Sequence, residues 1–88
     1  MTQRAFHVVG RVQGVGFRAF AVRSARALGL VGGVRNEPDG SLTALAAGEE
    51  AALGEFRRAL ERGPAASRVD AVEERADFPE FTSFDAAF

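Results

Sequence analysis

The sequence predicts an α+β fold of order β-α-β-β-α-β, an antiparallel sheet with two helices on one face. Three observations predict it. Apolar residues recur with period two in four segments and at helical spacing in two others. Each helical segment lies between two strand segments, as in two successive βαβ units. A Pro38-Asp39-Gly40 turn joins the second and third strands directly, so the middle of the chain is a hairpin and not a second crossover.

The first strand covers residues 6–12. Phe6, Val8 and Val12 share one face, and His7, Val9 and Arg11 share the other. Residues 17–28 form the first helix, with Phe17, Phe20, Ala21, Ser24 and Leu28 as its apolar stripe. Gly29 follows in the position that ends helices. Residues 30–37 and 41–47 form the hairpin strands. Glu49 and Glu50 suit a helix start, Leu53, Phe56 and Leu60 keep helical spacing, and Gly63-Pro64 closes the second helix. Residues 68–76 alternate as a fourth strand, with Val69, Ala71 and Glu73 opposite Asp70, Val72 and Glu74. In the Phe-rich end, Phe84, Ala86 and Phe88 are candidates for a short edge strand. This order is the ferredoxin-like split βαβ arrangement, and 88 residues make it one domain, residues 1–88.

Composition closes several function classes. There is no cysteine, so disulfides and thiolate metal sites are excluded, and a single histidine makes a zinc site an unpromising reading. All 11 basic residues besides His7 are arginine, so lysine chemistry is closed. The net charge of −1 gives no bias toward nucleic acid or an anionic membrane. No apolar run is long enough to span a bilayer, and no signal region opens the chain. The expectation is a cytoplasmic monomer with no nucleic-acid or membrane partner, no metal and no cofactor.

The segment Gly10-Arg11-Val12-Gln13-Gly14-Val15-Gly16-Phe17-Arg18 carries the chemistry. Glycines between a strand and a helix let the backbone turn tightly and approach a ligand. Unpaired amides and the dipole at the helix start favour an anion. Arg18 sits in the first turn, where a cation is slightly unfavourable unless an anion is shared with the helix end. A Walker A loop is discarded because it requires lysine. Gly14-Val15-Gly16-Phe17-Arg18-Ala19 fits a dinucleotide fingerprint in form, but the chain is too short for a doubly wound sheet and a hairpin follows. A cradle for one phosphoryl group remains, beside a purely geometric strand-to-helix turn. Asn36 by itself reads as turn chemistry. His7 reads as an ordinary sheet residue, and Arg11 and Arg35 as surface charges.

Together, two segments make the chain resemble the acylphosphatase family. The first is the glycine loop just quoted. The second is Gly32-Gly33-Val34-Arg35-Asn36-Glu37-Pro38-Asp39-Gly40-Ser41-Leu42. The resemblance implies hydrolysis of acyl phosphates to a carboxylate and inorganic phosphate, without metal or cofactor. It implies phosphate binding by the loop amides of Gln13, Gly14, Val15, Gly16, Phe17 and Arg18, with the Arg18 side chain as clamp. It implies Arg18 and Asn36 as the catalytic side chains, with Asn36 positioning the attacking water. Glu37 is adjacent, but strand alternation directs it to the face opposite Asn36, so the substrate phosphate or solvent is the expected proton acceptor. Two other classes stay open: an RNA-recognition module stacking bases on an open sheet, and a phosphate sensor without turnover. Against the first, the third strand has no aromatic, and the period places Phe6 under the helices.

Overall fold

A computed structural model describes residues 2–75 and 86–88. Strands β1 (Thr2–Arg11), β2 (Val31–Asn36), β3 (Leu42–Gly48), β4 (Arg68–Arg75) and β5 (Ala86–Ala87) form one antiparallel sheet in the order β4-β1-β3-β2-β5. Helices α1 (Phe17–Ala27) and α2 (Glu50–Arg62) cover one face. The ferredoxin-like α+β order read from the sequence is therefore the observed one.

The core lies between helices and sheet. Phe6, Val8 and Val12 from the β1 segment meet Phe17, Ala21 and Ala25 of α1 and Leu53, Phe56 and Leu60 of α2. The Phe56 ring anchors it, edge-on to Phe6 at 5.9 Å and to Phe88 at 5.6 Å between centroids. On α1, Ala25 is fully buried while Ser24 and Leu28 are half-buried, so the stripe is rotated slightly from the one expected. A small residue lets the helix approach the sheet closely there.

Helix ends follow the sequence signals. Leu30 N–H donates to Ala25 O (3.0 Å) and Gly29 N–H to Arg26 O (3.1 Å), the paired bonds of a Schellman stop. Gly63 closes α2, with Glu50 in its first turn and Arg62 in its last, both favourable to the dipole.

Three details differ from the alternation pattern. First, β1 begins at Thr2 rather than at Phe6, because β3 extends to Gly48 and pairs with it in register. Second, the β1–β4 register shifts between Val9 and Gly10, so Asp70 is an extra residue in β4. This bulge lets Val69 and Val72 both reach the core, although strict alternation puts them on opposite faces. Gly10 makes the close approach possible: its φ is +137°, and a Cβ there would lie 2.1 Å from Arg68 O. Third, among the described residues the edge strand is Ala86–Ala87, paired with Val34 and Gly33 of β2. Phe84 lies outside the described residues.

β1 and β2 both run antiparallel to β3, which separates them. They are therefore parallel to each other and end at the same edge of the sheet. That geometry brings the loop after β1 beside the turn after β2.

Candidate active site

The loop of residues 12–16 leads from β1 into α1 and ends on Gly16, the helix N-cap, at φ +79° and ψ 19°. A left-handed N-cap carries no Cβ penalty only when it is glycine. Helix geometry leaves the first amides of α1 without intrahelical acceptors. Among the described residues, no main-chain hydrogen bond uses the amides of Gly14, Val15, Gly16 or Phe17 as donors. No carboxylate sits in the first turn to offset the positive end of the dipole.

A cavity of about 200 Å³ opens at this helix start. Gly14, Gly16, Phe17 and Arg18 line one side, with Val12 and Ala19. Asn36 lines the other, from the last position of β2, where it pairs with Leu42. Arg18 and Asn36, 18 residues apart in sequence, thus face one small space. Gln13 and Val15 do not line it. The Gln13 carboxamide turns instead to the β2–β3 turn, donating from Nε2 to Glu37 O (2.7 Å) and Ser41 O (2.9 Å). Sequence reasoning placed only the Gln13 main chain in the site; the motif gave no signal for this side-chain contact.

The turn itself is tightly closed. Glu37 N–H donates to Ser41 O (2.8 Å), and Gly40 N–H to Glu37 O (3.1 Å). Gly40 has φ +94° and no other residue type among the described residues has positive φ, which marks a three-residue loop built on a type I turn. Asp39 Oδ1 accepts from the Ser41 amide (2.9 Å) and hydroxyl (2.6 Å), and these bonds hold its carboxyl below the usual range.

Glu37 points away from the cavity. Its Oε2 accepts from Arg35 Nε (2.9 Å) and Thr43 Oγ1 (2.5 Å) on the open face of the sheet. Burial pushes this carboxyl up, but the bonds from Thr43 and Arg35 outweigh it and leave it below its ordinary value. The face opposite Asn36 is thus where the alternation argument put it. Arg35, expected as a surface charge, is half-buried in this pair. Arg11 is exposed as expected. His7, expected as an ordinary sheet residue, bridges Ser41 Oγ (Nε2, 2.8 Å) and Glu73 of β4 (Nδ1, 3.3 Å).

A larger concavity, about 540 Å³, lies on this open face around His7, Arg35, Ser41, Thr43 and Arg75. It is a shallow groove with its cations already matched, Arg35 by Glu37 and Arg75 by Glu73 (3.8 Å). It contains no glycine loop and no helix start. The smaller cavity has both. Phe6 is 1% exposed beneath the helices and offers no stacking surface on the open face. Among the described residues no three His, Asp, Glu or Cys side chains converge as a metal-binding group, and no helix is long and apolar enough to cross a membrane.

A family model described as Acylphosphatase matches residues 4–86, nearly the whole chain. The chain belongs to the acylphosphatase family. It is 49% identical over 77 residues to an acylphosphatase of Nitratidesulfovibrio vulgaris, covering 88% of this chain and 77% of the relative. It is 45% identical to an acylphosphatase of Archaeoglobus fulgidus, covering 93% of each. The crystal structure of acylphosphatase from Bacillus subtilis superimposes with a TM-score of 0.80 at 41% identity over 89% of each chain. Family membership makes this acylphosphatase an enzyme that hydrolyses acyl phosphates.

Proposed function

We propose that the loop amides of residues 13–18 and the Arg18 guanidinium bind the phosphoryl group of the acyl phosphate, and that Asn36 positions the attacking water. The observation that carries this reading is the shared cavity, in which Arg18 and Asn36 meet across a helix start. Three phosphoryl oxygens need donors spread around them. A glycine loop with its amides turned inward, closed by a planar guanidinium fork, supplies such a set.

Water attacks phosphorus in line, opposite the acyl oxygen. The P–O bond to that oxygen breaks, and the carboxylate departs with the electron pair. A carboxylate is a good leaving group, so no acid is required to protonate it. Positioning and charge stabilisation are the remaining needs, and fixed donors meet both. The cationic charge comes from Arg18 and the helix end, so the scheme needs no metal. The water's proton goes to a phosphoryl oxygen or to solvent. Glu37 is unsuited to take it: Arg35 and Thr43 engage its oxygen, they lower its basicity, and it lies on the opposite face.

The test is phosphate release from a model acyl phosphate by wild type, Arg18→Ala and Asn36→Ala. Removing one preorganised donor costs about 10²–10³ in rate. Arg18→Ala is expected to lose at least that and to weaken competitive inhibition by inorganic phosphate. Asn36→Ala is expected to lower kcat with little change in phosphate inhibition. Near wild-type turnover in either variant removes that residue from the scheme.

A further inference from the structure

Resting on that reading, we propose that the Gln13 side chain is a positioning residue: it holds the β2–β3 turn, and with it Asn36, in register with the phosphate loop. The Gln13 side chain reaches from the loop to the segment that carries Asn36. Its single nitrogen spends both hydrogens on main-chain carbonyls, Glu37 O at 2.7 Å and Ser41 O at 2.9 Å. Both partners can only accept, so the amide orientation is fixed by chemistry. One bonded carbonyl belongs to the residue directly after Asn36. The brace therefore acts on the Glu37–Pro38 peptide, one peptide beyond those that flank Asn36, and reaches Asn36 through the main chain of Glu37.

The turn does not need Gln13 in order to close. Glu37 N–H and Gly40 N–H bond within it, and Asp39 caps Ser41. On the open face, His7 Nε2 lies 2.8 Å from the Ser41 hydroxyl, which itself donates to Asp39. Loss of the Gln13 carboxamide would leave the hairpin formed but free to shift relative to the loop. The loop amides, carried by the end of β1 and the start of α1, would stay in place. The consequence falls on the water and not on the bound phosphate.

The experiment is a double-mutant cycle on kcat, with the inhibition constant of inorganic phosphate measured in parallel, using Gln13→Ala, Asn36→Ala and the pair. A misplacement of about 1 Å at a reacting group costs on the order of 10² in rate. Gln13→Ala is expected to lower kcat by roughly 10- to 100-fold while the phosphate constant changes by less than about threefold. In the pair, the Gln13 change is expected to cost almost nothing more, because its effect runs through Asn36. Gln13→Glu adds a second readout. Its ionised carboxylate faces two carbonyls and lacks a donor, whereas the protonated acid regains one. Relative to wild type, its kcat is expected to rise as the pH falls.

Additive losses in the pair, or a phosphate constant that weakens in step with kcat, would overturn the brace while leaving the Asn36 assignment standing. So would a Gln13→Glu pH profile parallel to wild type. Failure of both Gln13 variants to fold would contradict a self-closing turn and overturn it too. Near wild-type kcat in Asn36→Ala would remove the water-positioning reading and the brace with it.

Discussion

Replacing Glu37 by glutamine separates a structural carboxylate from a catalytic one. Glu37 accepts from Arg35 Nε (2.9 Å) and Thr43 Oγ1 (2.5 Å), with its side chain 23% exposed. Hydrogen bonds to a charged group contribute about 1.5–3 kcal/mol each. Partial exposure and salt reduce this, and glutamine retains one accepting oxygen, so the net loss is about 1–2 kcal/mol. For a domain of this size that lowers Tm by about 4–16 °C. Urea unfolding and acyl phosphate hydrolysis, measured on the same preparations, are the assays. The expected result is lower stability with kcat within about threefold of wild type. The stability difference has a definite pH dependence. Because folding lowers the Glu37 pKa, its contribution is complete above the ordinary carboxylate range and is lost as the pH falls through the folded value. Wild type and variant are therefore expected to converge in acid. A kcat loss of 10² or more in a folded, phosphate-binding variant would make Glu37 the base and refute the reasoning.

Gly10→Ala is expected to lose about 3 kcal/mol or more, since its Cβ would meet Arg68 O at 2.1 Å in a conformation at φ +137°; thermal unfolding measures it. Gly16→Ala meets no atom within 4 Å and carries only the left-handed penalty at φ +79°, about 1–2 kcal/mol, so the same assay should rank it milder. Phe56→Ala opens a cavity beneath Phe6 and Phe88 and is expected to cost about 3–5 kcal/mol in urea unfolding. Turnover is expected to be unchanged by a strong chelator, because Arg18 and the helix end supply the charge; loss of activity that added divalent metal restores would contradict this.

Much of this molecule was legible in the chain because local rules and global fold agree. Period-two alternation, helical spacing and a Pro-Asp-Gly turn each fix an element, and their order leaves one arrangement. The candidate site was legible for a different reason. Glycines and an arginine at a strand-to-helix junction break the pattern expected of a plain connection, whereas Asn36 reads alone as turn chemistry and enters only through the resemblance to acylphosphatases. What escaped was nonlocal. The Asp70 bulge depends on pairing with β1, so alternation within β4 could not show that Val69 and Val72 share the core. The Gln13 contact joins the loop after β1 to the β2–β3 turn through Glu37 O and Ser41 O, and main-chain acceptors leave no trace in sequence. His7 gained its partners from Ser41 and Glu73 in the same way.

An amide-resolved NMR titration with inorganic phosphate tests the central assignment most directly. The account predicts saturable shifts concentrated at the amides of residues 13–18, with an apparent Kd matching the inhibition constant and affinity weakened in Arg18→Ala. Shifts centred instead on the open-face groove around His7, Arg35 and Arg75, or surviving intact in Arg18→Ala, would contradict it.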